Sequence, residues 1–192
     1  MSNEQKYWNN FYKKFGVMNS SDFSKYIVNY FKNNQNLRLL DSGCGNGRDS
    51  YFLSSKFIVT GVDNAFKPEN KKNCDFVLDD FINYNKDKFD IIYSRFTFHS
   101  ITNEEHSKFL KSITRCGTYL CIETRSDKDK SNQRVHGDTH YRNFTNIDYL
   151  INLLKEHNFE ILFIAESNGF SLYKGEDPVC IRVICRKIFI EK

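Results

Sequence analysis

Seven short apolar runs, most of them separated by amphipathic stretches, constrain the fold of this chain more than any other feature. They cover residues 37–41, 57–63, 75–79, 89–93, 118–123, 159–165 and 179–185. The first five are short and bounded, each with contiguous apolar residues, which is typical of parallel strands that are covered on both faces. The last two are joined by the segment SNGFSLYKGEDP, which has no helical pattern and suits an antiparallel pair of strands at a sheet edge.

The stretches between and before these runs have helical patterns. Apolar residues at helical spacing predict five helices, at residues 3–15, 21–33, 48–55, 103–112 and 146–157. Alternating strands and helices predict an α/β fold with a doubly wound, mostly parallel sheet and helices on both faces. A chain of 192 residues suits one structural domain, with a helical cap at residues 1–35 and the sheet domain at residues 36–192.

Composition narrows the functional classes. The net charge is +4, and lysines alternate with acidic residues, so no basic arm for nucleic acid is present. The polar start MSNEQKYW shows no secretory signal, and no run approaches the roughly 20 apolar residues of a membrane span. None of the six cysteines forms a C-x-x-C pair, so buried free thiols are expected. We expect a cytoplasmic protein that binds neither membrane nor nucleic acid.

The first apolar run leads into a glycine-rich turn that predicts a ligand site. Gly43, Gly45 and Gly47 form G-x-G-x-G between a strand and a helix, where glycine allows a tight turn and close approach of a ligand. A dinucleotide site requires its third glycine where Arg48 stands, so NAD is disfavoured. Asp63 ends the second run, where a carboxylate can accept hydrogen bonds from both hydroxyls of an adenosine ribose. An unliganded tight turn and a capping aspartate are the plain structural alternatives.

Four segments in order carry a resemblance to the class I S-adenosylmethionine-dependent methyltransferases. They are LLDSGCGNGRDS, VTGVD, DFVLDDF and FDIIYSRFTFHSI, and the resemblance extends over about residues 36–190. Ser42 departs from the family, which more often has Leu or Val there. The resemblance implies a Rossmann-like, seven-stranded, mostly parallel sheet with an antiparallel edge strand, and S-adenosyl-L-methionine as the cofactor.

The resemblance also implies roles for single residues. Asp80 is expected to face the exocyclic amine of adenine, with the backbone amide of Phe81 beside it. Backbone carbonyls near Ser94 are expected to meet the methionine amino group, and Arg48 belongs to the glycine motif. Trp8, in an aromatic first helix that resembles the cover of the cofactor in this class, is either a lid residue or simple core.

The chemistry of this cofactor agrees with the carboxylates at the strand ends. The cofactor has a cationic sulfonium, a zwitterionic amino acid and an uncharged ribose, so its site needs carboxylates and carbonyls instead of a phosphate-binding loop. Asp41, Asp63 and Asp80 follow successive strands and supply these charges. Each of them, taken alone, is also an ordinary aspartate at the start of a loop.

Polar residues after the fourth and fifth strands predict the site of the methyl acceptor, because ligands of open α/β sheets bind beyond the carboxyl ends of the strands. These candidates are Arg95, His99, Glu123, Arg125, His136, Asp138, His140, Tyr141 and Arg142. His99 or His140 is the expected base for a hydroxyl acceptor. The arginines suit a phosphate or carboxylate on the acceptor, and Glu123 suits sugar hydroxyls. A polar surface loop is the plain alternative.

The acceptor itself is suggested by a finer resemblance. IETRSDKD, THYRNF and EDPVCIRVICRK are similar to small bacterial and viral methyltransferases encoded beside surface-glycan genes, where HYRRF is frequent and Asn143 departs. This resemblance implies a glycan, sugar or sugar-phosphate hydroxyl as acceptor. GCGNGRDS also resembles the tellurite-resistance type, which leaves a thiol or a small inorganic acceptor open.

Three further alternatives are weighed against this interpretation. The segment SRFTF lacks the Asn/Asp-Pro-Pro-aromatic motif of amino methylation, which argues against DNA and protein glutamine as acceptors. His136, Asp138 and His140 could form an iron-binding triad, but its usual host is an all-β barrel, and no metal is expected. A degenerate fold that only binds a partner is disfavoured by the intact glycines and Asp63.

Overall fold

The computed structural model of the protein describes residues 2–14, 19–129, 141–172 and 175–189. The helices of this part are α1 (Asn3–Lys14), α2 (Asp22–Tyr30), α3 (Arg48–Leu53), α4 (Asn103–Lys111) and α5 (Ile147–Glu156). The strands are β1 (Arg38–Ser42), β2 (Ile58–Asp63), β3 (Cys74–Leu78), β4 (Ile91–Arg95), β5 (Tyr119–Arg125), β6 (Phe159–Ser167) and β7 (Cys180–Lys187). Every predicted strand and helix is present.

The strands form one seven-stranded sheet in the order β3-β2-β1-β4-β5-β7-β6. Strands β1 to β5 pair in parallel, whereas β7 pairs antiparallel with both β5 and β6. The predicted fold class is therefore confirmed, with the reversed strand lying second from the edge. The strand order reverses between β1 and β4, and such a switch point opens a crevice at the carboxyl ends of the strands.

Each buried strand contributes side chains to both faces of the sheet. In β1, Leu39 packs into the core on one side and Leu40 into the core on the other, as successive residues of a strand must. The first core includes α2 and α3, and the second includes α4 and α5. This two-sided burial explains why a central strand such as β4 has successive apolar residues.

The two N-terminal helices are attached to the sheet very differently. Helix α2 begins after Ser21, whose side chain accepts a hydrogen bond from Ser24 N. Phe23 and Ile27 of α2 are fully buried in the core that also contains Leu39. Helix α1 has no buried residue. It is held from outside, since Gln5 and Asn9 donate hydrogen bonds to backbone carbonyls that follow β2.

Candidate active site

A cavity of about 1090 Å³ opens at the carboxyl ends of β1, β2, β4 and β5. Its walls come from the glycine turn after β1, the segment after β4, helix α1 and the segment between β6 and β7. This is the crevice that the strand order predicts, and it is large enough for a nucleoside cofactor together with a small acceptor.

The glycine turn leaves no room for side chains. Gly43 and Gly45 have φ angles of 74° and 54°, in the region that favours glycine. A Cβ on Gly43 would lie 2.1 Å from Cγ2 of Thr97, and one on Gly45 would lie 2.6 Å from the ring of Tyr12. Gly47 begins α3 in the same left-handed conformation but does not line the cavity. The absence of side chains on Gly43 and Gly45 therefore lets Thr97 and Tyr12 pack directly against the backbone of the turn.

Asp63 lies at the end of β2 with its carboxylate on the cavity wall. One oxygen accepts hydrogen bonds from the backbone N–H groups of Ala65 and Phe66, at 2.8 and 3.2 Å. Among the described residues, the other accepts that of Gly45 alone, at 3.0 Å, and it retains capacity for a ligand hydroxyl. Burial raises the pKa of Asp63, while these three donors oppose the rise. The side chain is thus oriented as an acceptor for hydroxyl groups.

Asp41, at the end of β1, is a second buried carboxylate on the wall. It is 3% exposed and accepts a hydrogen bond of 2.5 Å from the hydroxyl of Ser50. Burial raises its pKa from 3.8 to about 7, and Asp49 and Asp63 add to this. A cation bound beside Asp41 would favour its ionised form.

Asp49 is a third carboxylate at this wall, which the sequence analysis did not single out. It accepts hydrogen bonds from the backbone and hydroxyl of Ser21, both at 2.7 Å, and from the hydroxyl of Tyr93 at 2.8 Å. Burial alone would raise its pKa, but Arg95, Arg48 and the Ser21 hydrogen bonds together hold it below the ordinary value. Its position directly after Arg48 in GCGNGRDS was the available signal.

The residues expected around the adenine are only partly on the wall. Phe81 lines the cavity. Asp80 does not, and its carboxylate instead accepts hydrogen bonds from Ile82 N at 2.9 Å and from the side chain of Asn83 at 2.6 Å.

Ser94, expected near the methionine end, is fully buried with its hydroxyl against that of Thr97. It is Thr97 that reaches the cavity wall.

The role expected for Glu123 does not fit its surroundings. It is fully buried, and its two oxygens accept hydrogen bonds from Arg95 at 2.8 Å and from Arg182 at 2.6 Å. The same arginines donate to the segment between β6 and β7, at Ser171 Oγ and Phe170 O. Glu123 therefore joins two strands to the cavity wall, and it does not itself line the cavity where a sugar would bind. An isolated Glu in a strand carries no local signal of two distant arginines.

The other acceptor-side arginines differ in their surroundings. Arg125 lines the cavity and pairs with Asp129 and Glu176, at 3.3 and 3.4 Å. Arg142 also lines the cavity, whereas Tyr141 is 46% exposed and lies off the wall.

Asn143, where the glycan-associated pattern has Arg, has a structural role here. Its backbone N–H donates to His99 O at 2.7 Å, and its side chain donates to Ile101 O at 3.0 Å. It thereby attaches the segment containing Arg142 to the end of β4.

His99 lines the cavity in the turn after β4 and is 8% exposed. Its ring lies 5.2 Å from that of Phe96, a residue in the left-handed region with a φ of 58°. Among the described residues, His99 is the one histidine on the cavity wall. His136, Asp138 and His140 lie outside the described residues.

Helix α1 contributes aromatic residues to the part of the cavity wall next to Asp63. Trp8 and Tyr12 both line the wall, and their rings stack at 5.8 Å. Asn9 donates to Ala65 O at 2.6 Å, so the helix is held by the loop that follows Asp63. Burial, followed by the nearby charge of Asp63, raises the pKa of Tyr12 well above its ordinary value.

The residues that line the cavity fit the chemistry of S-adenosylmethionine. Gly43 and Gly45 line the cavity, Asp63 has capacity for ribose hydroxyls, and Asp41 and Asp49 supply negative charge for the cationic end. The residues that would hold the cofactor are therefore Asp41, Gly43, Gly45 and Asp63.

Residues 20–163 match the model of a methyltransferase domain family. The match covers most of the chain, which therefore belongs to this family. It is an S-adenosylmethionine-dependent methyltransferase, as the sequence analysis expected. No curated protein sequence matches the chain.

Solved structures of methyltransferases share the fold. One is the 1,6-didemethyltoxoflavin-N1-methyltransferase of Burkholderia thailandensis, crystallised with its substrate and S-adenosylhomocysteine, with a TM-score of 0.67 and 17% identity over 87% of this chain and 77% of that one. A S-adenosylmethionine-dependent methyltransferase of Methanosarcina mazei has a TM-score of 0.69 and 19% identity over 86% and 98%. TehB of Haemophilus influenzae has a TM-score of 0.64 and 21% identity over 85% and 62%.

Two other findings concern the described part of the chain. No helix there has the length and apolarity to cross a membrane. The cysteines there are free, and four of the six are buried.

Proposed function

We propose that this methyltransferase methylates a hydroxyl group of a small sugar or glycan, with His99 as the base that accepts the hydroxyl proton. The observation that carries the proposal is the position of His99 on the cavity wall, four residues beyond the end of β4. The methionine end of the cofactor is expected beside this turn, so an acceptor that reaches the methyl group also comes within reach of the imidazole.

The cofactor is proposed to lie across the glycine turn. Its ribose hydroxyls would bind Asp63, its adenine would lie beside Phe81, and its cationic end would face Asp41. Trp8 would cover it from α1. When bound, it supplies a methyl group that is already activated, so the chain has to orient the acceptor, exclude water and remove one proton.

The charges of the acceptor side favour a neutral acceptor over a phosphorylated one. Arg95 is paired with the buried Glu123, and Arg125 with Asp129 and Glu176. A guanidinium that already shares a carboxylate has less to offer a phosphate, because binding would disrupt an existing buried pair. Aromatic rings on the wall, including Phe96 and Phe170, suit the apolar face of a sugar ring.

The test is methyl transfer from isotopically labelled cofactor to free sugars, nucleotide-sugars, thiols and tellurite. With the acceptor that is methylated, His99→Ala should lower turnover by about 10²–10⁴-fold and leave cofactor affinity unchanged. Wild-type turnover should fall at low pH, where imidazole is protonated. His157→Gln is the matched control, since His157 is half-buried beside Ser107 and lies off the cavity wall.

A different outcome would redirect the proposal. Near-normal turnover of His99→Ala between about pH 5 and 9 would exclude histidine base catalysis by this residue. If His140→Ala also retained turnover, the acceptor would be an existing nucleophile, such as a thiolate or an inorganic anion. Methylation of thiols or tellurite alone would overturn the sugar proposal directly.

A further inference from the structure

Lys86 lies off the cavity wall, yet its ammonium group is one of the most buried charges of the described chain. The residue is 1% exposed. Its Nζ donates hydrogen bonds to the backbone carbonyls of Phe81 at 2.8 Å, Ile82 at 3.0 Å and Tyr84 at 3.0 Å. Each of the three N–H bonds of the ammonium therefore has a carbonyl acceptor.

A buried cation is a costly way to stabilise a turn. The ammonium also lies 4.6 Å from the ring centre of Phe109, and burial lowers its pKa to about 8, with Asp80 opposing the shift. An apolar side chain would fill this place without the desolvation cost, but it would not orient three peptide groups at once.

The peptide groups that Lys86 orients form the turn that places Phe81. Asp80 holds this turn from the other side by accepting hydrogen bonds from Ile82 and Asn83. Between them, the Phe81 ring packs 6.3 Å from that of Phe109 and comes within 3.7 Å of where a Cβ on Gly43 would lie.

The backbone N–H of Phe81 is the polar group that this turn leaves for a ligand. Within the described parts of the chain, this N–H donates no hydrogen bond. Because Phe81 also lines the cavity, this N–H is available to a ring nitrogen of adenine.

We infer that Lys86 is a positioning residue for adenine: it orients residues 81–84 so that the Phe81 backbone reads the edge of the base. The inference rests on the adenine placement proposed above. It assigns to Lys86 an effect on base selectivity, which is separate from its effect on folding.

The experiment compares two ligands by calorimetry, S-adenosylhomocysteine and S-inosylhomocysteine, which carries an oxygen in place of the exocyclic amine and a proton on the adjacent ring nitrogen. The wild type should prefer the adenine ligand by about tenfold or more, the worth of one hydrogen bond. Lys86→Met should lose most of this preference by weakening the adenine ligand alone. Lys86→Gln keeps two N–H donors and should lose part of the preference for the adenine ligand. This variant also provides a test if Lys86→Met does not fold.

Lys187→Met is the matched control. Lys187 Nζ donates to a backbone carbonyl, that of His157 at 2.7 Å, and lies 4.8 Å from the ring centre of Phe159, but it lies away from the cavity. It should keep the full preference for adenine even where it lowers the unfolding temperature. Equal weakening of both ligands in the Lys86 variants, or unchanged selectivity, would overturn the inference. A wild type that shows no preference would overturn the adenine placement itself.

Discussion

The cofactor side and the acceptor side of the cavity are built in different ways. On the cofactor side, Asp63 contacts Gly45, 18 residues away, and Ser50 contacts Asp41, 9 residues away. On the acceptor side, three of the contacts join residues much farther apart, as the α1 contacts of Gln5 and Asn9 also do on the other side. Arg95 reaches Ser171 across 76 residues, Arg182 reaches Glu123 across 59, and Arg125 reaches Glu176 across 51.

This difference indicates which side of the cavity can change in sequence without the loss of a buried ion pair. The cofactor side is one strand-turn-helix motif plus the end of the next strand, and its ligand groups are largely backbone and single carboxylates. The acceptor side depends on buried ion pairs, where the loss of one partner leaves an uncompensated charge. Arg95, Glu123 and Arg125, which look like acceptor ligands in the sequence, are therefore engaged in holding the wall.

The largest effect that separates the two sides is expected from Glu123→Ala. It leaves Arg95 and Arg182 without their shared carboxylate and should lower the free energy of unfolding by about 3–5 kcal/mol. Chemical denaturation measures this. Glu160→Ala is the control, since Glu160 forms an exposed pair with Arg186 that should contribute only about 0–1 kcal/mol. A loss of similar size in both variants would show that the Glu123 pairs do not support the acceptor wall.

A smaller but more specific effect is expected on the cofactor side from Asp63→Ala. Loss of a charged acceptor for the ribose hydroxyls should weaken S-adenosylmethionine by about 10- to 100-fold while the protein stays folded. Calorimetry gives the affinity, and circular dichroism gives the folded fraction. Asp75→Ala, at an exposed position of the neighbouring strand β3, should bind as the wild type does. Unchanged affinity in Asp63→Ala would show that the ribose hydroxyls do not bind this carboxylate.

The effect that is smallest at neutral pH is a pH dependence at Asp41. Because a bound cation requires the carboxylate form, affinity for S-adenosylmethionine should fall below about pH 7, by up to about tenfold per pH unit. The ligand-free protein should behave oppositely. Because the pKa of Asp41 is raised in the folded state, this residue increases the free energy of unfolding below pH 3.8, and the increase is lost as the pH rises to about 7. Asp41→Asn should flatten both profiles, and a wild-type affinity that is constant from pH 5 to 8 would contradict this role.

The strand pattern and the glycine motif made most of the fold and the cofactor side predictable. In β4, the successive residues Ile91, Ile92 and Tyr93 are apolar because both faces of the sheet are covered, so the pattern reports burial directly. Gly43 and Gly45 follow from the backbone angles of the turn, and Asp63 follows from its place at the end of the next strand. These features depend on residues near one another in sequence.

Only the tertiary structure decided what the charged residues of the acceptor side contact. Glu123 reads as a ligand at a strand end, but the antiparallel pairing of β5 with β7 places Arg182 opposite it, and β4 brings Arg95 to its other side. Likewise, Asp49 lies in the glycine motif and Lys86 in no motif, yet their contacts with Ser21, Tyr93 and the turn at Phe81 follow only from the fold. The physical reason is that a local pattern encodes backbone conformation and burial, whereas the partner of a buried charge is set by which distant strands the fold brings together.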